Sequence, residues 1–186
     1  MSDLAAHEYR VLREAIAARG QLRASLALAG LLGWGGVLAA TLIALPYPLA
    51  AVLPLTILLA TFEVIRPLHA GAERIGRYLQ VFFEERQGTA HPGSLAPPAW
   101  EQTAMALGAA VPGAAGHPLF VPVFALAAIV NFLGVLLPGP IPIELGLLAI
   151  PHVAFLLWLV RADRAMRVQR TREFARFRDL RDRGMA

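Results

Sequence analysis

The sequence predicts an all-α integral membrane protein, with four transmembrane helices arranged as two hairpins and with amphipathic helices in the cytoplasm. Three observations predict this class. The chain of 186 residues is 57% hydrophobic and 16% charged, whereas soluble domains carry about 25% charged residues. Its apolar residues are concentrated in runs long enough to cross a bilayer. All 17 basic residues are arginines, and they lie outside those runs.

The apolar runs form two pairs, each joined by a short Leu-Pro-x-Pro link. The first pair is Ala24–Leu45 and Tyr47–Ile65, and the second is Leu119–Leu137 and Ile143–Val160. A run of about 22 residues crosses a hydrocarbon core of ~30 Å, since a helix rises 1.5 Å per residue. The short links therefore predict two tight helical hairpins.

The arginines predict the orientation. They lie in the N-terminal, middle and C-terminal segments and are absent from both links. By the positive-inside rule, these three segments are cytoplasmic, and both termini lie on the cytoplasmic side of a bacterial-type inner membrane. The predicted organisation is a cytoplasmic helix over 1–23, a hairpin over 24–65, a cytoplasmic helical segment and loop over 66–117, a hairpin over 118–160 and an arginine-rich helix over 161–186.

Composition argues against several kinds of chemistry. The chain has no cysteine, which excludes disulfides and thiolate sites. No nucleophile–base order, phosphate loop or metal-ligand spacing is found, so we predict no catalytic residue, no cofactor and no metal site. The pI of 10.6 is explained by the arginines that flank the spans, and we predict no nucleic-acid partner.

Polar residues in or near the spans are candidates for an intramembrane polar or ion site, because such residues are costly in lipid. Glu63 and Arg66 share a helix face, which predicts either an interfacial ion pair or an ion site. Glu144 lies where a carboxylate caps a helix. Asn131 is expected to bond a neighbouring helix or subunit. His152, beside Pro151, is expected either to bond a backbone carbonyl that the proline frees or to titrate in a proton path.

Small residues recur four apart in the first span, which favours close helix packing. These pairs are Ala29 with Gly33, Gly35 with Ala39, and Gly36 with Ala40.

The helix after the second span has an apolar stripe that predicts an interaction face. Its members are Ile75, Tyr78, Leu79, Phe82 and Phe83. Their polar counterparts, expected to face water, are Glu73, Arg74, Arg77, Gln80, Glu84 and Glu85. The stripe can lie on the membrane surface, or pack against the helices at the two termini within or between subunits.

Four arginines recur every third residue after the last span: Arg161, Arg164, Arg167 and Arg170. This spacing is found in voltage-sensor helices, but these arginines begin where the apolar run has ended. We therefore expect them to contact lipid headgroups.

Two stretches resemble a group of small, uncharacterised bacterial membrane proteins. The terminal helix reads E-Y-x-x-L-R from Glu8 to Arg13, and the helix after the first hairpin reads R-I-G-x-Y from Arg74 to Tyr78. A Trp100-Glu101 pair follows later, and the resemblance covers roughly the first 100 residues. It implies no known activity, but it implies that Tyr9, Arg13, Gly76 and Tyr78 matter to the cytoplasmic helices.

These features lead us to expect a non-enzymatic membrane scaffold or accessory subunit, associated with the lipid bilayer and acting as a homo-oligomer or as part of a membrane complex. The alternative is a small oligomeric channel, transporter or membrane-perturbing effector. A pore needs polar residues along one face of a span, and the first span has almost none. An enzyme of lipid chemistry is a third class, which the scarcity of nucleophiles disfavours.

Overall fold

The computed structural model describes residues 3–45, 47–85, 120–137 and 139–184, and every element within these ranges is helical. The α-helices in this part of the chain are α1 (Asp3–Ala44), α2 (Val52–Leu79), α3 (Val121–Val135) and α4 (Pro142–Asp182). A 3₁₀ turn, Pro48–Ala51, leads into α2, and a π-helical turn, Gln80–Glu84, follows it. The loop predicted within 66–117 and the Trp100-Glu101 pair lie outside the described residues.

Three helices in the described residues are long and apolar enough to cross a membrane. They are α1, the stretch Pro48–Glu84 that contains α2, and α4. The third predicted span, Leu119–Leu137, corresponds to α3, an apolar helix of 15 residues. At 1.5 Å per residue α3 is about 22 Å long, which is shorter than a ~30 Å hydrocarbon core.

The long helices continue through residues that could have ended them. Pro67 lies inside α2 and Pro151 inside α4, although each lacks the N–H that an α-helix uses. The arginine-rich helix predicted over 161–186 continues directly from the last apolar run, and α4 ends at Asp182.

The chain packs as two compact units. The apolar unit comprises Leu22–Pro67 and His117–Ala165, and the charged unit comprises Met1–Gln21, Leu68–Gly116 and Met166–Ala186.

Phe62 lies at the centre of the apolar unit. It is fully buried, and its ring centroid lies 5.6 Å from that of Phe124 on α3 and 6.5 Å from that of Phe155 on α4. Both pairs are edge-to-face, an arrangement that aromatic rings prefer. One side chain of α2 thus holds α3 and α4 together.

Candidate functional site

Asn131 is the centre of a hydrogen-bond network inside the apolar unit. It is fully buried on α3. Its Oδ1 accepts a bond of 3.2 Å from the indole Nε1 of Trp34 on α1. Its Nδ2 lies 2.9 Å from the carbonyl of Ala51 and 2.9 Å from Nε2 of His152 on α4. The amide therefore bonds α1, the 3₁₀ turn and α4 at once.

The hydrogen-bond partners in this network determine which of its nitrogen atoms carry a hydrogen. His152 Nδ1 lies 2.7 Å from the carbonyl of Leu148, and because a carbonyl only accepts, Nδ1 carries the hydrogen. Nε2 is then an acceptor, and it takes one amide hydrogen of Asn131 while Ala51 takes the other. The indole of Trp34 only donates, which fixes the amide oxygen toward it. Each of these groups has a partner, so the network suits a neutral imidazole.

His152 bonds a backbone carbonyl, but the carbonyl is not the one that the proline frees. The missing N–H of Pro151 leaves the carbonyl of Leu147, four residues earlier, without its helical donor. The imidazole instead bonds Leu148. His152 is 3% exposed, and its ring lies against Phe132, with centroids 5.1 Å apart.

Glu63 and Arg66 form the ion pair that their spacing predicts, and Trp158 joins it. Arg66 donates to Glu63 over 2.8 Å, and the indole Nε1 of Trp158 on α4 donates to the other oxygen of Glu63 over 2.6 Å. The guanidinium carbon of Arg66 lies 5.5 Å from the Trp158 ring centroid, within cation–π range. Both charged side chains are more than a third exposed, so the cluster lies at the surface of the apolar unit.

Glu144 caps the start of α4. Its Oε2 accepts a bond of 3.1 Å from the backbone N–H of Ile141, the residue before the helix. This is the reach-back contact of a capping box, and it satisfies one of the amides that a helix start leaves free.

Close packing of α1 on α2 uses a glycine other than those in the predicted pairs. A Cβ on Gly30 would lie 2.2 Å from Thr61 Cγ2, so the two backbones can approach only because residue 30 has no side chain. Of the predicted glycines, Gly33 would meet an atom only at 4.0 Å, and Gly35 and Gly36 would meet nothing within 4 Å.

The aromatic stripe of α2 packs against both ends of the chain in the charged unit. Leu79, Phe82 and Phe83 are buried, while Ile75 and Tyr78 are partly buried against them. The side chains that cover this cluster come from α1 and α4: Ala5, Tyr9, Leu12, Ile16, Phe174, Phe177 and Leu180. The predicted interaction face is thus covered by helices of the same chain.

Burial overturns part of the predicted polar face. Arg77, Gln80 and Glu84 are 2%, 8% and 4% exposed, whereas we expected them to face water. The π-helical turn contributes to the burial of Glu84 at its end, because one extra residue in a turn rotates the following side chains by about 100° relative to an α-helix. Arg77 precedes the turn, so its burial has another cause. All five residues of that turn are buried.

Ion pairs accompany this packing. Arg77 binds Glu173 of α4 through two nitrogens and Glu73 of its own helix over 3.0 Å. Arg13 of α1 lies 3.3 Å from Glu84. A buried arginine requires such partners, because an unpaired buried charge is strongly unfavourable.

Glu85 receives two arginines of α4. Arg178 donates to one of its oxygens over 2.8 Å and Arg181 to the other over 2.6 Å. Burial alone would raise the pKa of the Glu85 carboxyl, but the hydrogen bonds from Arg178 and Arg181 outweigh it and hold the pKa below its usual value.

The residues implied by the resemblance lie mainly at the contact of α1 with α2. Tyr9 packs on Phe83 with ring centroids 5.7 Å apart, and its hydroxyl accepts bonds of 3.0 and 2.9 Å from Arg13. The hydroxyl of Tyr78 donates to Glu8 over 3.0 Å. Gly76 is the fourth of these residues. Packing does not require a glycine there, since a Cβ would meet nothing within 4 Å.

The C-terminal arginines are not all engaged in the same way. Arg176, Arg178, Arg181 and Arg183 each pair with a carboxylate. Three of the four arginines expected at lipid headgroups are exposed and make no ion pair within the described residues. They are Arg161, Arg164 and Arg170. Arg167 is exposed as well.

Sequence reasoning missed two tryptophans. Trp34 and Trp158 each donate to a polar residue about 95 positions away along the chain, on another helix. The presence of tryptophan in an apolar run could have indicated such bonds, because a buried indole N–H requires an acceptor. The identity of that acceptor is not encoded locally.

These features are those of a helical membrane protein: three helices of membrane length, and deep polar side chains bonded to one another. A scan against protein-family models finds no match, and searches of curated proteins and of solved structures find none either. The resemblance to the E-Y-x-x-L-R group therefore stays a prediction. Within the described part of the chain, no three His, Cys, Asp or Glu side chains are grouped so that they could hold a metal ion.

Proposed function

We propose that this protein is a non-enzymatic scaffold or accessory subunit of an oligomeric complex in a bacterial inner membrane. In this proposal α3 also crosses the bilayer, as the third of four spans. The chain then crosses as two hairpins, and both termini are cytoplasmic. The arginine distribution supports that orientation. A helix as short as α3 can cross by local thinning of the bilayer or with its flanking residues at the interface.

The observation that carries the proposal is the closed network around Asn131. Trp34, Asn131 and His152 are polar side chains inside the apolar unit, and they bond to one another and to backbone carbonyls. Transport sites need polar groups that can bind and release a solute. Groups already satisfied by neighbouring helices favour a structural role.

The other ionisable candidates support the same conclusion. Glu63 is held by Arg66 and Trp158 near the surface of the apolar unit. Glu144 is engaged with the backbone at the start of α4. Both carboxylates thus have structural partners, which favours the scaffold over the channel or transporter alternative.

Reporter fusions test the membrane layout. Fusions after Pro48 and after Gly139 should report the periplasm, and fusions after Gly88 and after Ala186 should report the cytoplasm. A periplasmic signal from the segment 66–117 would overturn the layout.

Two measurements test the function. Native gels of membranes solubilised in mild detergent should show a particle larger than a single chain of 20.0 kDa, and proteoliposomes should pass no more protons or potassium than empty liposomes. Glu63→Gln should change neither result. A single chain in every mild detergent would refute the oligomeric scaffold. A flux that Glu63→Gln abolishes, with normal protein levels, would establish the transporter instead.

A further inference from the structure

The cluster of Glu63, Arg66 and Trp158 presents a fixed guanidinium at the surface of the apolar unit. Arg66 is held from two sides, by the carboxylate of Glu63 at 2.8 Å and by the face of the indole. Its side chain remains 41% exposed. A guanidinium has five N–H donors, and the bond from Nη2 of Arg66 to Glu63 uses one of them. The exposed part can therefore donate to a further anion.

Two more arginines follow Trp158 on α4. Arg161 lies three residues after the indole and Arg164 three residues after that, so helical spacing places them along one side of α4. Both are exposed and neither has an ion pair within the described ranges. Of the three guanidiniums, that of Arg66 pairs with Glu63, and Asp163 is the acid that lies between Arg161 and Arg164 in the sequence. Three arginines against these two acids leave a net charge of +1.

Depth along α4 separates these arginines from the later ones. The apolar run ends at Val160, and the headgroup layer of one leaflet is about 5–8 Å thick. At 1.5 Å per residue, Arg161 and Arg164 lie within about 6 Å of that end, whereas Arg170 and Arg172 lie about 15–18 Å along the helix. Arg161 and Arg164 can therefore reach lipid phosphates, whereas Arg170 and Arg172 lie beyond the headgroup layer.

We propose that Arg66, Trp158, Arg161 and Arg164 form a binding site for the headgroup of one anionic phospholipid. The guanidiniums bind the phosphate and the extra negative charge of the headgroup. The indole ring, which favours the membrane interface, packs against the glycerol region. A lipid is the occupant that the position indicates, because the site lies where two helices of membrane length leave their apolar runs. This inference goes beyond the scaffold role and rests on the proposed membrane layout.

The test is lipid binding to the purified full chain in detergent, followed by native mass spectrometry with phosphatidylglycerol and with phosphatidylcholine as probes. Two arginines at an anionic surface together change affinity by about thirtyfold. Arg161→Gln with Arg164→Gln should therefore weaken phosphatidylglycerol binding by about thirtyfold and leave phosphatidylcholine binding unchanged. Trp158→Phe, which keeps an aromatic ring but loses the bond to Glu63, should weaken it severalfold.

The matched control is Arg170→Gln with Arg172→Gln, which removes the same charge from exposed positions farther along α4. It should change binding by less than threefold. Equal losses in the two double variants would overturn the site and leave only general charge attraction. Inorganic phosphate competing at millimolar concentration would overturn the choice of a lipid. Reporter fusions and native gels of the same variants report the layout and the assembly separately, so failure of the site is distinguishable from failure of the scaffold.

Discussion

Asn131 and His152 lie on different helices, 2.9 Å apart from Nδ2 to Nε2, and the bond between them is possible in only one protonation arrangement. With the Nδ1 hydrogen of His152 donated to Leu148, the imidazole must be neutral to accept from the amide. A second proton on His152 would place two donors against each other. The Asn131 amide could then rotate by 180° to turn its oxygen toward His152. That rotation would leave the carbonyl of Ala51 without its donor and the indole of Trp34 without its acceptor. The network is thus cooperative: each bond depends on the orientation of the others.

Asn131→Leu tests this network, because leucine has a similar shape and no hydrogen-bonding group. The change leaves the N–H of Trp34, the carbonyl of Ala51 and Nε2 of His152 without their partner. Hydrogen bonds between membrane helices are worth about 0.6 kcal/mol each on average, so we expect a loss of about 2 kcal/mol in the free energy of unfolding. Unfolding by SDS in mixed micelles measures it.

Thr56→Val is the control for that measurement, since Thr56 is exposed and its hydroxyl bonds the carbonyl of Leu53 on the same helix. It should stay within about 0.5 kcal/mol of the wild type. If the two variants are equally stable, the network does not hold the helices together.

The aromatic cluster of the charged unit is tested by Phe82→Ser combined with Phe83→Ser. Both side chains are 8% exposed beneath α1 and α4. Removing a buried phenyl ring costs about 3–5 kcal/mol, so the melting temperature should fall steeply while membrane insertion is unchanged. Leu4→Ser, at a residue 79% exposed, should be nearly neutral. A double variant that melts normally but no longer binds liposomes would make the stripe a membrane anchor instead.

Glu85 predicts a pH dependence of stability. Its pKa is lowered in the folded protein because Arg178 and Arg181 hydrogen-bond the carboxylate. A lowered folded pKa means that the stabilisation is complete above the usual carboxyl pKa of about 4.3 and is lost as the pH falls through the folded value. Glu85→Gln should therefore reduce the free energy of unfolding at pH 7 by up to about 1 kcal/mol. At pH 3 its deficit relative to the wild type should be smaller.

Glu14→Gln is the matched control, since Glu14 is an exposed acid of α1 and no ion pair to it occurs within the described residues. Its stability should follow that of the wild type from pH 7 to pH 3. A deficit of Glu85→Gln that is the same at both pH values would mean that the effect does not come from the carboxylate charge.

Local helix geometry explains which features the sequence could predict. The pairing of Glu63 with Arg66 and the cap by Glu144 depend on residues three positions apart on one helix, and spacing encodes such contacts. The burial of Arg77 depends on Glu173, which is 96 positions away. Hydropathy indicates that helices pack, but it does not encode their register, so these long-range partners could not be predicted.

The sequence does not encode helix register, and this also explains why the predicted small-residue pairs of α1 do not make its closest contact. Their spacing predicts that some face of α1 packs closely, and α1 does pack closely on α2, but through Gly30. A Cβ at Gly30 would lie 2.3 Å from Thr61 Oγ1 and 2.7 Å from Thr61 Cβ. The second distance matters most, because rotating the threonine side chain does not move its Cβ.

Gly30→Ala should therefore push α1 away from α2 and reduce the free energy of unfolding by about 1–3 kcal/mol, the usual cost of overpacking. Gly36→Ala, on the same helix, adds a methyl group with nothing within 4 Å. It should be neutral or stabilising by up to about 1 kcal/mol, because alanine favours a helix over glycine. Adding Thr61→Gly to Gly30→Ala removes the opposing side chain and should recover part of the loss. SDS unfolding of the variants decides the question: equal stability of Gly30→Ala and Gly36→Ala would mean that α1 and α2 do not touch at Gly30.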